Sequence, residues 1–263
     1  MHCVRADYPS VWAAANVYII ADTHIGDPMA DTKLTARRVE AIAKDPCGLC
    51  ILNGDILNTA LRNSVSDVYG EVATPMQQID EACALLMPIK DKIIGATTGN
   101  HEARTYRSDG IDMMRLVCRQ LGVEDKYAPE GVLIFLRFGK RNAHGCGGGR
   151  VDTPQWYSIY ATHGCGGGRK EGAKAIRLAD MAAIVDADVY LHSHTHLPMI
   201  MKQSYFRTSN QMCSVQLVEK LFVNSGAALD YGGYSQSYEF KPSGKANPII
   251  HLAAREKRAT ATL

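Results

Sequence analysis

Five short clusters in this 263-residue sequence carry side chains that bind cations: Asp22-Thr23-His24, Asn53-Gly54-Asp55, Gly99-Asn100-His101-Glu102, Thr162-His163-Gly164 and His192-Ser193-His194-Thr195-His196. Carboxylates, imidazoles and the carboxamide of Asn100 make a hard-to-borderline donor set, suited to Mn²⁺, Zn²⁺, Fe or Ni²⁺. The set holds more ligands than one ion needs. Asp22 and His24 stand two apart, as do His194 and His196, so on an extended segment each pair points to one side. A two-metal site, with ions roughly 3.5–4 Å apart and one carboxylate spanning both, is the natural use of so many donors. Isolated histidines such as His2 and His251 read as surface or hydrogen-bonded residues. His192 reads as a strand-end residue or a partner of a ligand rather than as a ligand.

Each cluster follows a β-prone run, and these runs must position the donors. Strands are expected over 16–21, 49–52, 92–96, 132–138, 157–161 and 189–192. Helical stripes lie between them. Met76, Ile79, Cys83 and Leu86 share a face behind Thr74-Pro75-Met76-Gln77, which combines an N-cap, a proline at the first helical position and a glutamine able to close a capping box. Ile111, Met114, Cys118 and Leu121 form a second stripe, ended by Gly122, and further helices are expected over 33–44 and 171–183. Alternating strands and helices mean an α/β fold. Functional groups of open α/β sheets gather at the carboxyl ends of strands, so the five clusters converge on one rim. Beyond Pro198, β-prone pieces at 199–206, 214–223, 237–240 and 248–252 complete or flank a sheet. No linker rich in Pro, Gly or Ser divides the chain, so residues 1–254 read as one domain and 255–263 as a frayed tail.

Composition sets the outer limits. With 46% hydrophobic and 21% charged residues, disordered, collagen-like and coiled-coil classes are poor fits. Twenty-nine Lys+Arg against 27 Asp+Glu leave +2, too little for bulk electrostatics to carry nucleic-acid or membrane binding. No window approaches the ~18 consecutive apolar residues that span a bilayer. The apolar run at 11–20 is interrupted by Asn16 and leads straight to Asp22, so it reads as a strand rather than a secretion signal. The eight cysteines are spread through the chain as reduced thiols, which points to the cytoplasm. Cys47-Gly48-Leu49-Cys50 lacks the second pair that a structural zinc site needs. The segment His-Gly-Cys-Gly-Gly-Gly-Arg occurs twice, at 144–150 and 163–169. Neither copy ends in Gly-Lys-Ser or Gly-Lys-Thr, so a nucleoside-triphosphate loop is excluded.

Taken in order, Asp-x-His, Gly-Asp, Gly-Asn-His-Glu, His-Gly and His-Thr-His-x-Pro resemble the blocks of the calcineurin-like metallophosphoesterase superfamily, in particular its phage-type and DNA-repair-nuclease-like members. The resemblance spans residues 16 to about 200. It implies a four-layer α/β/β/α sandwich of two mixed sheets with a dinuclear metal centre. It implies that Asp22, His24, Asp55 and His196 hold one metal, and that Asp55, Asn100, His163 and His194 hold the other, with Asp55 as the bridge. His101 matches the family's histidine that stands beside the metals without binding them. Ser193 departs from the glycine usual before the last block, a change expected to cost backbone freedom but no ligand. Either His144 or His163 could supply the His-Gly ligand. His163 is preferred because it directly follows a clean strand and lies 31 residues before His194, room for one helix and one strand.

The activity so implied is phosphate-ester hydrolysis with two divalent metal ions, Mn²⁺ foremost and Zn, Fe or Ni as alternatives. Two cations bridged by Asp55 would lower the pKa of a shared water from ~15.7 towards neutrality, giving a bridging hydroxide as nucleophile. Asn100 and His101 are placed to meet charge developing on the phosphoryl oxygens, and His101 suits protonation of the leaving oxygen. Arg104, Arg107 and Arg169 are candidates to clamp a substrate phosphate with forked donors, as is Arg150; otherwise they are solvent-facing loop arginines. The expected partner is a phosphate-ester substrate, nucleotide or nucleic acid, with no membrane partner. Phosphodiesterase or nuclease activity ranks ahead of phosphomonoesterase activity on the same site, although no interleaved aromatic and basic groove pattern supports a dedicated single-strand nuclease. A catalytically silent scaffold of this fold ranks lower, because all seven ligands and His101 are present. An amide-cleaving zinc hydrolase would share the His/Asp chemistry but not the order of the five blocks.

Overall fold

A computed structural model of the chain describes residues 1–9, 11–62, 68–140, 154–166 and 168–263. Strands β2 (Ala14–Ile20), β3 (Gly48–Asn53) and β4 (Ile93–Thr97) run parallel, with helices α1 (Thr32–Lys44) and α2 (Pro75–Leu86) in the crossovers. β10 (Ile249–Ala253) and β11 (Ala259–Thr262) extend this sheet antiparallel beyond β2, giving the order β11-β10-β2-β3-β4. The second sheet is formed by β1 (His2–Pro9), β5 (Val132–Lys140), β6 (Gln155–Ala161), β7 (Val189–His192), β8 (Met199–Ser209) and β9 (Ser214–Asn224), in the order β1-β5-β6-β7-β9-β8. It is also mixed: β6, β7 and β9 are parallel neighbours, while β5 and β8 run antiparallel to β6 and β9.

The alternation of side chains along each strand decides the layers. Val17, Ile19, Leu49 and Ile51 of the first sheet meet Ile134, Leu136, Ile159, Leu191 and Val223 of the second, forming the central core. The intervening Ile20, Cys50, Leu52 and Ile93 face outward onto α1, α2 and α4 (Met113–Leu121). On the far side, Tyr160, Tyr190 and Phe222 pack beneath α5 (Glu171–Asp180) and the 3₁₀ turn at Met181–Ala183. The architecture is therefore the four-layer α/β/β/α sandwich of two mixed sheets. β3 is buried along its whole length, which is why it reads as a continuous apolar run rather than an alternating one. The capping box forms as expected, with Thr74 and Gln77 each bonding the other's backbone.

Several expectations need correction. β1 was not anticipated, because its polar residues leave it half exposed at the sheet edge. α3 (Glu102–Asp109) was also not anticipated, since it has almost no apolar stripe. Ile111 is not part of a helical stripe: Asp112 caps α4 by accepting from the Arg115 N–H, so the helix starts after Ile111, which is exposed. The expected strand at 237–240 is instead the end of a short helix, α6 (Gly233–Ser237), and a turn. The segment 255–263, expected to fray, contains strand β11 (Ala259–Thr262). β11 pairs with β10 from Ala259 to Thr262, and the turn between them is held by Tyr157. The ring of Tyr157 is buried, and its hydroxyl lies 2.7 Å from Ala253 O and 2.8 Å from Glu256 O, and accepts the Arg258 N–H at 2.9 Å.

The seven cysteines among the described residues are free thiols. Also among the described residues, no helix is long and apolar enough to cross a membrane. The first copy of the repeat, including His144 and Arg150, lies outside the described residues, as does Gly167 of the second copy. Removing the Tyr157 hydroxyl (Tyr157→Phe) takes away a donor to the Ala253 and Glu256 carbonyls and an acceptor for the Arg258 N–H. It should cost about 1 kcal/mol in denaturant unfolding and speed amide exchange in β11. An unchanged midpoint with unchanged exchange would show that the turn does not depend on it.

Candidate metal centre

The carboxyl ends of β2, β3, β4, β6 and β7 meet on one rim, and the sequence clusters meet there with them. Ligand atoms of Asp22, His24 and His196 all lie within 4.8 Å of one another, as do those of Asp55, His163 and His194, and those of His24, Asp55 and His101. Asp55 stands between the groups. Its Oδ2 is 3.2 Å from His163 Nε2, 3.9 Å from His101 Nε2 and 4.0 Å from His24 Nε2. Asn100 Oδ1 joins the second group at 3.2 Å from His163 Nε2. His163 is the histidine of the repeat that the described residues bring to the cluster; His144 lies outside them.

Backbone strain is concentrated at these positions. Asp22, His24, Asp55, His194 and His196 all have positive φ, between 45° and 63°. Such conformations cost non-glycine residues on the order of 1 kcal/mol each or more, so five together need strong support from their surroundings. Two glycines make the close approaches possible. A Cβ on Gly99 would collide with the Asp55 carboxylate, and one on Gly164, at φ +91°, would collide with the His192 ring. His192 is not in any of these ligand groups; its Nδ1 lies 2.8 Å from Asn224 Oδ1.

The support comes from residues that sequence reasoning did not identify. Glu102 is buried and its carboxylate accepts four backbone N–H groups, from Asp55 (3.1 Å), Ile56 (2.6 Å), Leu57 (3.0 Å) and Gly99 (2.9 Å). It ties the loop after β4 to the loop after β3 and holds the strained Asp55 from behind. Burial and the Asp55 charge push Glu102 up to about 7, against the pull of those N–H groups. Asn224 donates to Thr195 Oγ1 (2.9 Å) and Leu197 O (2.7 Å), fixing the loop that carries His194 and His196. Asn53 donates to Ser193 Oγ at 2.7 Å, the Ser193 and Ser225 hydroxyls are 2.8 Å apart, and Ser225 Oγ donates to Asp22 Oδ2 at 3.2 Å. The only advance signal was that Glu102, Asn53 and Ser193 stand inside the donor clusters.

The donor set fits divalent cations. Asp22 Oδ1 and His24 Nε2 are buried without a hydrogen-bond partner, and both belong to one group. Each unpaired buried atom costs about 1–3 kcal/mol, a cost that a cation between them removes. Burial pushes His24 and His194 down, towards the neutral imidazole that ligates. Burial would raise Asp22 and Asp55, but His196 beside the first and His163 and His101 beside the second hold both below the usual carboxylate range. His163 moves the other way: against the effect of burial, Asp55 raises it to about 10.

No protein-family model matches the chain, and no curated protein matches it. Solved structures are similar to it in fold. One is a predicted phosphoesterase from Streptococcus pneumoniae TIGR4, 13% identical, covering 96% of this chain and 99% of that one with a TM-score of 0.38. Another is wild-type Vps29 from Entamoeba histolytica complexed with zinc, 11% identical over 94% of this chain and 97% of that one, with a TM-score of 0.37. A third is a metallophosphoesterase from Sphaerobacter thermophilus, 11% identical over 93% and 89%, with a TM-score of 0.39. At such distances the site's own geometry must carry its chemistry.

The cluster lines part of an open cavity of about 700 Å³. Arg104 and Arg169 line it, whereas Arg107 is exposed on α3 and is not among the lining residues. His101 faces the cavity with a defined tautomer. Its Nδ1 lies 2.8 Å from Asn58 Oδ1 and 3.1 Å from Asn58 O, both acceptors, so Nδ1 carries the proton. Nε2 is left as an acceptor, 3.1 Å from an Arg104 nitrogen. Burial, aided by Arg104 and opposed by Asp55, pushes His101 down to about 4.

Two outcomes follow. Because His163 is protonated beside Asp55 in the metal-free protein, Mn²⁺ or Zn²⁺ binding must expel that proton. Affinity should therefore rise about tenfold per pH unit from pH 7 towards 10, and calorimetry in buffers of different ionisation enthalpy should show release of about one proton. An affinity independent of pH would contradict the His163–Asp55 pairing. Replacing Glu102 with Gln turns an acceptor oxygen into an NH₂ facing backbone N–H groups. It should weaken metal binding about 10- to 100-fold even where the fold survives, as judged by circular dichroism; unchanged affinity would show that Asp55 is held by other means.

Proposed function

We propose that this chain is a metal-dependent phosphoesterase, with phosphodiesters as its preferred esters. The observation that carries this reading is the set of adjoining His/carboxylate groups around Asp22 and Asp55, with His101 and Arg104 beside them in the lining of one cavity. Asp22, His24, Asp55 and His196 would hold one divalent ion, and Asp55, Asn100, His163 and His194 a second, each with two imidazole nitrogens and two oxygens, a mixed set that suits Mn²⁺, Zn²⁺, Fe or Ni²⁺. Such ions supply charge neutralisation at a phosphoryl group and a lowered pKa for attacking water. Hydrolysis forms one P–O bond from water and breaks the P–O bond to the leaving alcohol, whose oxygen takes up a proton.

This chain's own residues have definable parts. Asn58 fixes His101 Nδ1–H, so the only proton His101 can pass to a leaving oxygen is one carried on Nε2. The anionic substrate favours that protonation, in the direction Asp55 already pulls and against burial. Arg104, next to Nε2, offers forked donors to a phosphoryl oxygen. The buried positions of Asp22, Asp55 and His163 keep bulk water from competing for the charges. The seven free thiols favour a reducing, cytoplasmic setting.

The test is a metal-replacement screen with Mn²⁺, Zn²⁺ and Ni²⁺ on bis-p-nitrophenyl phosphate and p-nitrophenyl phosphate. Turnover of the diester in preference to the monoester is expected. Asp55→Asn should abolish it together with metal retention, and His101→Ala should lower kcat about 10²- to 10⁴-fold with metal content unchanged. Preference for the monoester would favour a phosphatase on the same site. Full metal occupancy with neither ester cleaved, across a panel that also includes cyclic nucleotides, would leave a silent scaffold.

A further inference from the structure

The cavity is lined by more than the metal cluster. Pro28, Met29, Leu197, Leu229, Tyr231 and Phe240 contribute apolar and aromatic surface to it. Phe240 is stacked on Tyr238 with ring centroids 6.4 Å apart and planes 18° from parallel, and the Arg169 guanidinium sits 5.5 Å from the Phe240 centroid. Tyr231 presents half of its surface to solvent at the cavity wall. Aromatic rings and an arginine plane of this kind are stacking surfaces for a flat ring.

The wall that carries Tyr231 and Phe240 is tied to the same loops that carry the ligands. Ala228 N–H donates to Asp22 O at 3.0 Å and Asp230 N–H to Met29 O at 2.8 Å. Ser243 Oγ donates to His196 O, and Lys241 pairs with Glu171 at 2.7 Å. Lys245 pairs with both Asp31 (2.6 Å) and Asp230 (2.7 Å). The aromatic wall is thus set at a fixed position relative to Asp22 and His196.

Charge separates a small ligand from a polymer. Outside the cluster, the cavity is lined by Asp27, Glu171, Asp230 and Glu239 against Arg104, Arg169, Lys174 and Lys241, which cancel. Lys241 is engaged by Glu171, Lys174 donates to Thr195 O at 2.8 Å, and Arg169 is turned onto Phe240. A track for nucleic acid needs a run of cations to meet successive phosphates, and the flanking phosphates of a polymer would here meet acids as often as bases. A volume of about 700 Å³ falls in the range that encloses a small molecule.

We infer that the aromatic part of the cavity lining, with Phe240, Tyr231 and Arg169, recognises the base of a nucleoside phosphate whose phosphoryl group sits at the metal cluster, so that the substrate is a small nucleotide ester rather than a nucleic-acid polymer. This rests on the phosphoesterase reading. The phosphate end is anchored by the cluster and Arg104, and the base end by stacking, which tolerates more than one base because every base has a π-face.

Binding to the Mn²⁺-loaded protein separates the two ideas without requiring turnover. Calorimetric titrations would compare adenosine 5′-monophosphate, ribose 5-phosphate, inorganic phosphate and a 20-residue single-stranded oligonucleotide. AMP is expected to bind at least tenfold more tightly than ribose 5-phosphate, and the oligonucleotide no more tightly than AMP. Phe240→Ala and Tyr231→Ala, separately and together, should erase most of the AMP advantage while leaving inorganic phosphate affinity unchanged. Equal affinity of the wild type for AMP and ribose 5-phosphate overturns the base site while phosphate binding still stands. Tighter binding of the oligonucleotide, with a steep salt dependence, overturns the restriction to small substrates. Loss of inorganic phosphate binding in the wild type would instead strike at the phosphoesterase reading itself. The wild-type comparison of AMP with ribose 5-phosphate decides the matter even if the variants fail to fold.

Discussion

The structure is organised around one electrostatic constraint: the Asp55 carboxylate, buried and surrounded by His24, His101 and His163, must stay charged. A carboxylate out of water is expensive unless opposite charge or donors surround it. Here the donors are drawn from the ends of β2, β4 and β6, so satisfying one side chain brings both sheets to a common rim. The same rim leaves Asp22 Oδ1 and His24 Nε2 without a hydrogen bond, although His196 Nε2 stands 3.3 Å from the former. A core evolved for stability alone would pair such atoms or replace them with apolar groups. Such atoms, together with strained φ at five donor positions, fit a place built to hold a cation.

That strain explains the bracing behind the site. Glu102 gathers four N–H groups from two loops that parallel strands leave with unsatisfied donors at their carboxyl ends. Without such an acceptor, the left-handed turn at Asp55 would relax and the carboxylate would swing away from the shared position. Asn224 does the same for the His194–His196 loop from the end of β9, a strand that supplies no ligand of its own. Each ligand loop is thus held by a side chain from a different strand or helix, a physical reason for the site to need the whole sandwich rather than a local motif.

The donors were legible in the sequence because each lies within a few residues of a strand end, where β-prone runs stop and polar residues of unusual type begin. The six strands read from those runs lie within a few residues of their observed limits for the same reason. The bracing was not legible. The Asn53–Ser193 bond joins residues 140 apart and the Ser225–Asp22 bond residues 203 apart, and no spacing rule reaches that far. β1 and α3 escaped because an exposed edge strand and a polar helix lack the apolar periodicity on which such reading depends. β11 escaped because its pairing is set by the turn that Tyr157 holds from the other sheet. Where Tyr231 and Phe240 lie relative to the donors depends on a long connection after β9 returning across the rim, a tertiary fact with no local signature.

Ser193 shows how a departure from an expected pattern acquires a role. A side chain in place of glycine would be costly if position 193 needed a left-handed backbone, but Ser193 is not among the residues with positive φ, so that cost does not arise. The strain falls instead on His194 and His196, which flank Thr195. The hydroxyl at 193 fills a gap between Asn53, which also positions His163 through its carbonyl at 2.8 Å, and Ser225, which donates to Asp22. One small polar side chain therefore links the supports of Asp22 and His163 beneath the rim. A glycine there would leave the Asn53 NH₂ with only its bond to Thr162 O and remove the connection to Ser225. In a buried polar network every member must be satisfied for the whole to be rigid, so the serine couples the supports of Asp22 and His163 through hydrogen bonds that a glycine backbone lacks.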